Sequence, residues 1–248
     1  MIELKHIFGG YGSFQAVKDV SLLFPNGKVT AIIGPNGCGK STLLKLCCGL
    51  LTPKQGDALA EGLPLGAMSR LERAKRIAFL PQSRTVPDIV AGALVLHGRF
   101  PWLDYPRIYH AQDKSIAEAA MRRVGVWDQR NKLLSNLSGG ERQKAYLAMA
   151  LAQNAGNVLL DEPTTYLDIS HQLELLMILS ELKREGKSVV AVLHDLSMAL
   201  DVADQVAVMK DGGLLFAGTP EEIIASGAVE EAFGVKLTKE TRYRFCLP

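Results

Sequence analysis

Residues Gly34-Pro35-Asn36-Gly37-Cys38-Gly39-Lys40-Ser41 match the pattern G-x-x-x-x-G-K-[ST] at every fixed position. Ahead of them runs Val29-Thr30-Ala31-Ile32-Ile33, an apolar, β-branched stretch of the kind that forms a strand buried on both faces. Behind them, 41–48 reads as a helix closed by Gly49, with Pro53 beyond. A buried strand, a glycine-rich break and a helix, in that order, restrict the chain to α/β folds with an interior sheet. The glycines let the backbone turn tightly and aim several N–H groups at one anion. The helix adds its positive end. Lys40 can reach β- and γ-phosphates as a mobile point charge, and the Ser41 hydroxyl can ligate Mg²⁺, with Thr42 completing the cradle. The segment therefore reads as a loop for nucleotide phosphates.

The rest of the chain supports an α/β frame. Strands are expected at 2–8, 20–24, 77–80, 157–160, 188–193 and 205–209, and Asp211-Gly212-Gly213 reads as a hairpin turn. Helices are expected at 111–124, 141–151, 170–184 and 196–202. The helix at 170–184 carries Leu173, Leu175, Leu176, Ile178, Leu179 and Leu182 as its apolar positions. Alternating strands and helices argue for a largely parallel sheet with helical crossovers. The block at about 84–153 is mostly helical and reads as an insertion into a single domain spanning 1–248. No internal repeat, low-complexity tract or long linker interrupts it.

Bulk composition removes several classes. With 28 basic and 26 acidic residues the net charge is +2, so no bulk field favours nucleic acid. No stretch is apolar for long enough to span a bilayer, and the longest candidate, 89–96, covers about half of one. Met1-Ile2-Glu3-Leu4-Lys5 lacks the charged flank and apolar block of a signal peptide. The four cysteines, Cys38, Cys47, Cys48 and Cys246, form no C-x-x-C pair and read as reduced thiols. A mean hydropathy of +0.10 is slightly high for a free monomer and points to a surface covered by a partner.

Polar residues recur at the ends of the apolar runs. Val158-Leu159-Leu160 leads into Asp161-Glu162. A parallel strand delivers its C-terminal end to the ligand edge of the sheet. Asp161 is placed there to hold Mg²⁺ through water, and Glu162, on the alternate side, to polarise an attacking water as general base. His194 follows the strand at 188–193 and is expected at the γ-phosphate. Gln82 follows the strand at 77–80, where an amide can sense both metal and water. Leu137-Ser138-Gly139-Gly140-Glu141-Arg142-Gln143 opens the helix at 141–151. Ser138 can cap it, and Gly139 and Gly140 leave backbone N–H groups free at its positive end, a second anion site.

Together these motifs, in this order from Tyr11 to about Gly218, resemble the ATP-binding cassette (ABC) family of transporter ATPases. The resemblance implies an ABC ATPase fold: a P-loop core with a mostly parallel sheet, an antiparallel β subdomain and an α-helical subdomain. It implies ATP and Mg²⁺ as cofactors and a head-to-tail dimer with a second copy. Within it Tyr11 matches the residue that stacks on adenine. Lys40, Ser41, Gln82, Asp161, Glu162 and His194 match the nucleotide, metal, water-sensing, base and switch positions. Ser138 and Gly140 match donors to the partner copy's γ-phosphate, and Asp168 matches the acidic loop that crosses the dimer. Departures from the family pattern are Cys38 for Ser or Ala, Glu141 for Gln, and Thr165-Tyr166 for Ser-Ala. Cys38 raises the question of thiol sensitivity.

Finer features resemble the importer branch for ferric siderophores, haem and cobalamin. They are Glu162-Pro163-Thr164-Thr165-Tyr166-Leu167-Asp168-Ile169-Ser170-His171-Gln172, Thr85-Val86-Pro87-Asp88-Ile89-Val90, Gly98-Arg99-Phe100-Pro101-Trp102 and His194-Asp195-Leu196. That branch implies permease subunits, an extracytoplasmic solute-binding protein as an indirect partner, and a peripheral position on the cytoplasmic face of the membrane. The aromatics Phe100, Trp102, Tyr105 and Tyr109 are expected either to form a groove for a permease helix or to fill the helical subdomain's core. Other readings are a soluble ABC-type ATPase acting on nucleic acid or the ribosome, and a small-molecule kinase. The second gives no reason for Leu137–Gln143.

Overall fold

A computed structural model describes residues 1–82, 86–165 and 167–236; Thr85, Tyr166 and Cys246 lie outside these. The fold has two sheets. The first is antiparallel, in the order β2-β1-β4-β5, from β1 (Ile2–Tyr11), β2 (Phe14–Phe24), β4 (Gln55–Ala60) and β5 (Leu63–Pro64). The second has six strands, β10-β9-β3-β8-β7-β6. They are β3 (Val29–Ile33), β6 (Ile77–Leu80), β7 (Asn157–Asp161), β8 (Ser188–Val192), β9 (Gln205–Lys210) and β10 (Gly213–Gly218). The pairings β6–β7, β7–β8, β8–β3 and β3–β9 are parallel, and β9–β10 is antiparallel.

Strands β3, β7 and β8 are buried at every position, so their sequences are apolar without alternation. Their side chains still alternate between layers. Val29, Ala31 and Ile33 face a core shared with Leu175, Leu179 and Leu182 of helix α6 (Ile169–Arg184). Ile32 faces the opposite core, shared with Leu43, Leu44 and Leu46 of α1 (Lys40–Cys47) and with Ile2, Leu4 and Phe24 of the antiparallel sheet. Each of these fully buried large side chains stabilises the fold by about 1.5–3 kcal/mol.

Strands β1 and β2 run further than expected, meeting at a hairpin whose last pair is Tyr11 and Phe14. β4 was not foreseen, because Gln55-Gly56-Asp57 has poor strand propensity and pairing with β1 holds that stretch extended. Helix α7 (Leu196–Val202) has the expected bounds, whereas the short helices α2 (Arg70–Arg76), α8 (Pro220–Ser226) and α9 (Ala228–Phe233) were unforeseen. Two of them announce themselves with capping boxes, Ser69 with Glu72 and Thr219 with Glu222. β9 ends at Lys210 and β10 starts at Gly213, so the hairpin turn is Asp211-Gly212, both with positive φ.

Between β6 and β7 the described chain forms α3 (Ala91–His97), α4 (Ala111–Arg123) and α5 (Gly139–Ala152), with short 3₁₀ turns. Gly98 ends α3 hard against α5; a Cβ there would lie 2.3 Å from the Met149 carbonyl. Buried Arg99 pairs with buried Asp113 of α4 at 3.1 Å and donates to the Ala152 carbonyl of α5 at 2.9 Å. Trp102 Nε1 donates to Gln153 O at 2.7 Å, and the Gln153 amide donates to Ile77 O at the start of β6 at 2.8 Å. Those bonds fasten the helical block to the sheet. Among the described residues, no helix is long and apolar enough to cross a membrane.

Candidate active site

The phosphate loop lies at the C-terminal end of β3, and neighbouring chain presses on it from two sides. Gly34 has φ 151, and a Cβ there would sit 2.2 Å from the Met209 carbonyl of β9. Gly39 has φ 105, with the Ala16 carbonyl of β2 at the same 2.2 Å. No other residue type fits either position. Gly39 is the N-cap of α1 and brings no side-chain hydrogen bond, so the helix's first N–H groups stay available to an anion. Lys40 is buried, its ammonium donating to the carbonyls of Gly34 at 2.8 Å and Pro35 at 2.9 Å. The charge is thus held inside the loop, where phosphate oxygens are stronger acceptors than carbonyls. Cys38 packs behind the loop, buried, with its thiol pushed up by burial despite nearby Lys40. A buried, protonated thiol reacts slowly, so Cys38 serves here as a small apolar residue.

Ser41 Oγ donates to Asp161 Oδ1 at 3.1 Å, which brings together the end of β7 and the start of α1. Asp161 is buried, and burial pushes its carboxyl up, with the Ser41 bond pulling the other way. A hydroxyl and a desolvated carboxylate make a partial ligand set. The described residues contain no cluster of three or more His, Cys, Asp or Glu able to hold a metal alone. This fits Mg²⁺, which keeps water ligands and takes the rest from substrate phosphates.

Glu162 stands just past β7 with φ 51, a left-handed backbone rare outside glycine. This kink, and not simple strand alternation, turns it away from Asp161. Its two oxygens are held separately: Gln82 Nε2 donates to Oε2 at 2.5 Å and His194 Nε2 lies 2.6 Å from Oε1. Three strand ends, those of β6, β7 and β8, therefore converge on one carboxylate.

The cleft over the loop is lined by Tyr11, Phe14, Asn36, Gly37, Lys40, Ser41, Thr42, Gln82 and Glu162, among others. Tyr11 is half exposed, and Lys45 of α1 donates to its hydroxyl at 3.1 Å and sits 5.6 Å from its ring centre. Phe14 was missed from sequence. It is 65% exposed on the same hairpin, and an exposed aromatic two residues from a turn glycine was the available signal.

Ser138, Gly139, Gly140 and Asp168 do not line this cleft. Ser138 caps α5, its Oγ accepting from Glu141 N at 3.2 Å while Glu141 Oε2 accepts from Ser138 N at 2.9 Å. The Glu departure from the family pattern is thus half of a capping box. Gly139 and Gly140 form the first turn of α5. Asp168 caps α6, accepting from His171 N and Ser170 Oγ, each at 2.9 Å.

Residues 17–165 match the family described as "ABC transporter". The chain belongs to the ABC transporter family. It is an ATP-binding, ATP-hydrolysing cassette of the ABC ATPase fold. The cassette is 41% identical to the ferric enterobactin transport ATP-binding protein FepC of Escherichia coli K12, over 92% of this chain and 84% of that one. It is 39% identical to the probable siderophore transport system ATP-binding protein YusV of Bacillus subtilis 168, over 91% and 83%. Among solved structures it is similar to the dimeric bacterial ABC transporter cassette MJ0796, with TM-score 0.80 and 27% identity over 89% of this chain and 99% of that one. The same cassette in a post-hydrolysis state with ADP and Pi gives TM-score 0.79 at 26% identity, over the same shares.

Proposed function

We propose that this cassette powers an importer of ferric siderophores or related iron chelates. Its geometry supports the catalytic half of the reading through one observation: Glu162 is held between Gln82 and His194 beside the phosphate loop. The cargo half rests on the likeness to FepC and YusV.

In this reading Tyr11, with Phe14 beside it, packs on the adenine. Loop N–H groups and Lys40 hold the phosphates, with Lys40 exchanging carbonyl partners for phosphate oxygens. Ser41 and Asp161 would hold Mg²⁺, with Gln82 nearby, and a bound metal would supply positive charge beside the γ-phosphate. Glu162 takes a proton from the attacking water as Gln82 and His194 orient it. Ser138, Gly139 and Gly140 face the γ-phosphate on a second copy, with Asp168 beside the junction. The Ser138 oxygen accepts from Glu141, which leaves its proton free to donate to that phosphate.

The cassette works at the cytoplasmic face of the membrane on permease subunits, with a solute-binding protein outside and no nucleic acid partner. The docking surface is the segment carrying Phe100, Trp102 and Tyr105, which are 43%, 39% and 95% exposed, with Tyr109 half-buried. That exposure favours a docking groove over a core-filling role.

The test is affinity purification of the tagged cassette from membranes, followed by uptake of labelled ferric chelates in cells with and without it. Co-purifying permease chains and cassette-dependent iron uptake are expected. ATPase activity stimulated by RNA or DNA, with no membrane protein bound, would overturn the reading.

A further inference from the structure

We infer that Gln143 is a positioning residue that couples the two ATP sites of a cassette pair; the inference rests on the head-to-tail pairing proposed above. Gln143 lies one turn into α5, the helix that begins with Ser138, Gly139 and Gly140. Its side chain is buried, and Nε2 donates to the Pro163 carbonyl at 2.9 Å. Pro163 is the residue after Glu162. The turn around it is otherwise closed by Thr165 N donating to Glu162 O at 3.3 Å, a longer bond. The surroundings of Gln143 include the apolar side chains of Leu80, Leu147 and Leu175. In such surroundings a hydrogen bond is strong, and leaving the carbonyl without a donor is costly. The next residue makes a parallel tie, since Lys144 pairs with Glu174 of α6 at 2.8 Å.

One helix thus touches both sites of the pair. Its start faces the partner's γ-phosphate, while its second turn grips the peptide following this chain's own base. A shift of α5 when the partner's phosphate arrives moves the Pro163 carbonyl with it, and Glu162 follows. Occupancy at one site is therefore communicated to the base at the other.

The test compares Gln143→Met, which keeps bulk and loses the donor, with Gln143→Lys, which restores one. Should the Met variant fail to fold, Gln143→Leu replaces it, since it is also uncharged and carries no donor. The expected result for the donor-less variant is unchanged ATP affinity, with a melting temperature a few degrees lower because the Pro163 carbonyl loses its donor. Its kcat should fall by about 10–100-fold. Its Hill coefficient for ATP should drop from near 2 toward about 1. The Lys variant should recover both. A donor-less variant with wild-type kcat and Hill coefficient overturns the coupling alone, provided Glu162→Gln still dimerises on ATP. A loss of kcat with the Hill coefficient kept also overturns it. Wild-type protein without cooperativity, and Glu162→Gln that stays monomeric with ATP, overturn the pairing and the coupling together.

Discussion

In the proposed mechanism Glu162 concentrates the chemistry of this cassette in one side chain. Its left-handed backbone costs about 1–3 kcal/mol, which the surrounding packing and bonds must offset. Both carboxylate oxygens are occupied, by Gln82 and by His194. A Gln at this position keeps the size and can still bond both partners, but it cannot accept a proton. Glu162→Gln should therefore bind ATP like the wild type and turn over about 10²–10⁴-fold more slowly. Equilibrium nucleotide binding and steady-state phosphate release check this, and near-normal hydrolysis would refute the base assignment. At this scale the sequence was most legible where a polar residue ends an apolar run. Gln82, Asp161, Glu162 and His194 all do so, because a parallel strand can point only its C-terminal end at the ligand edge. Less legible was the way Glu162 turns, since positive φ leaves no composition signal outside glycine. Phe14 went unread because its one signal, an aromatic two residues after a turn glycine, also fits a residue on the strand face.

Among the elements, α5 shows how a local signal and a longer-range role share the same residues. Its capping box binds Glu141 to the Ser138 N–H, and that bond, with the Ser138 side chain next, holds the carboxyl below its ordinary range. A depressed folded-state pKa gives stability that is present above the unfolded value of about 4.3 and lost as pH falls through the folded one. Glu141→Gln should therefore melt below the wild type at pH 7, and the gap should close as pH falls below the ordinary carboxyl range. A gap that persists in acid would mean that shape, not charge, holds the cap. Elements with strong periodicity or buried apolar runs, such as α6, β3 and β8, are readable from sequence. β4 is not, since its extended form comes from β1 across the sheet. The short helices α2 and α8 were overlooked although their caps are written plainly, because each offers too few residues for a period to emerge.

For the whole molecule, the helical block is held by few but deeply placed polar links, of which Arg99 with Asp113 is the most enclosed. Asp113 also accepts the His110 N–H at 3.0 Å, so its loss strands two donors. Asp113→Ala should cost about 3–5 kcal/mol in urea unfolding, whereas Arg99→Met with Asp113→Leu together should cost markedly less. A single variant as stable as the wild type would mean that the pair is solvated in solution. The α/β class was visible in the alternation of runs. The antiparallel sheet followed only from family resemblance, because two of its four strands carry no strand signal of their own.

The strand order has a consequence for how the molecule is made. β3 carries the phosphate loop, yet its sheet neighbours are β8 and β9, which start at Ser188 and Gln205. Gly34 is pressed by Met209, farther along still. A ribosome must therefore deliver more than three-quarters of the chain before the loop, already flanked by Ala16 of β2, acquires its Met209 wall. Contacts so remote in sequence also form slowly. The nascent loop thus lacks this wall for most of its synthesis, and tight nucleotide binding is expected only once β9 is in place.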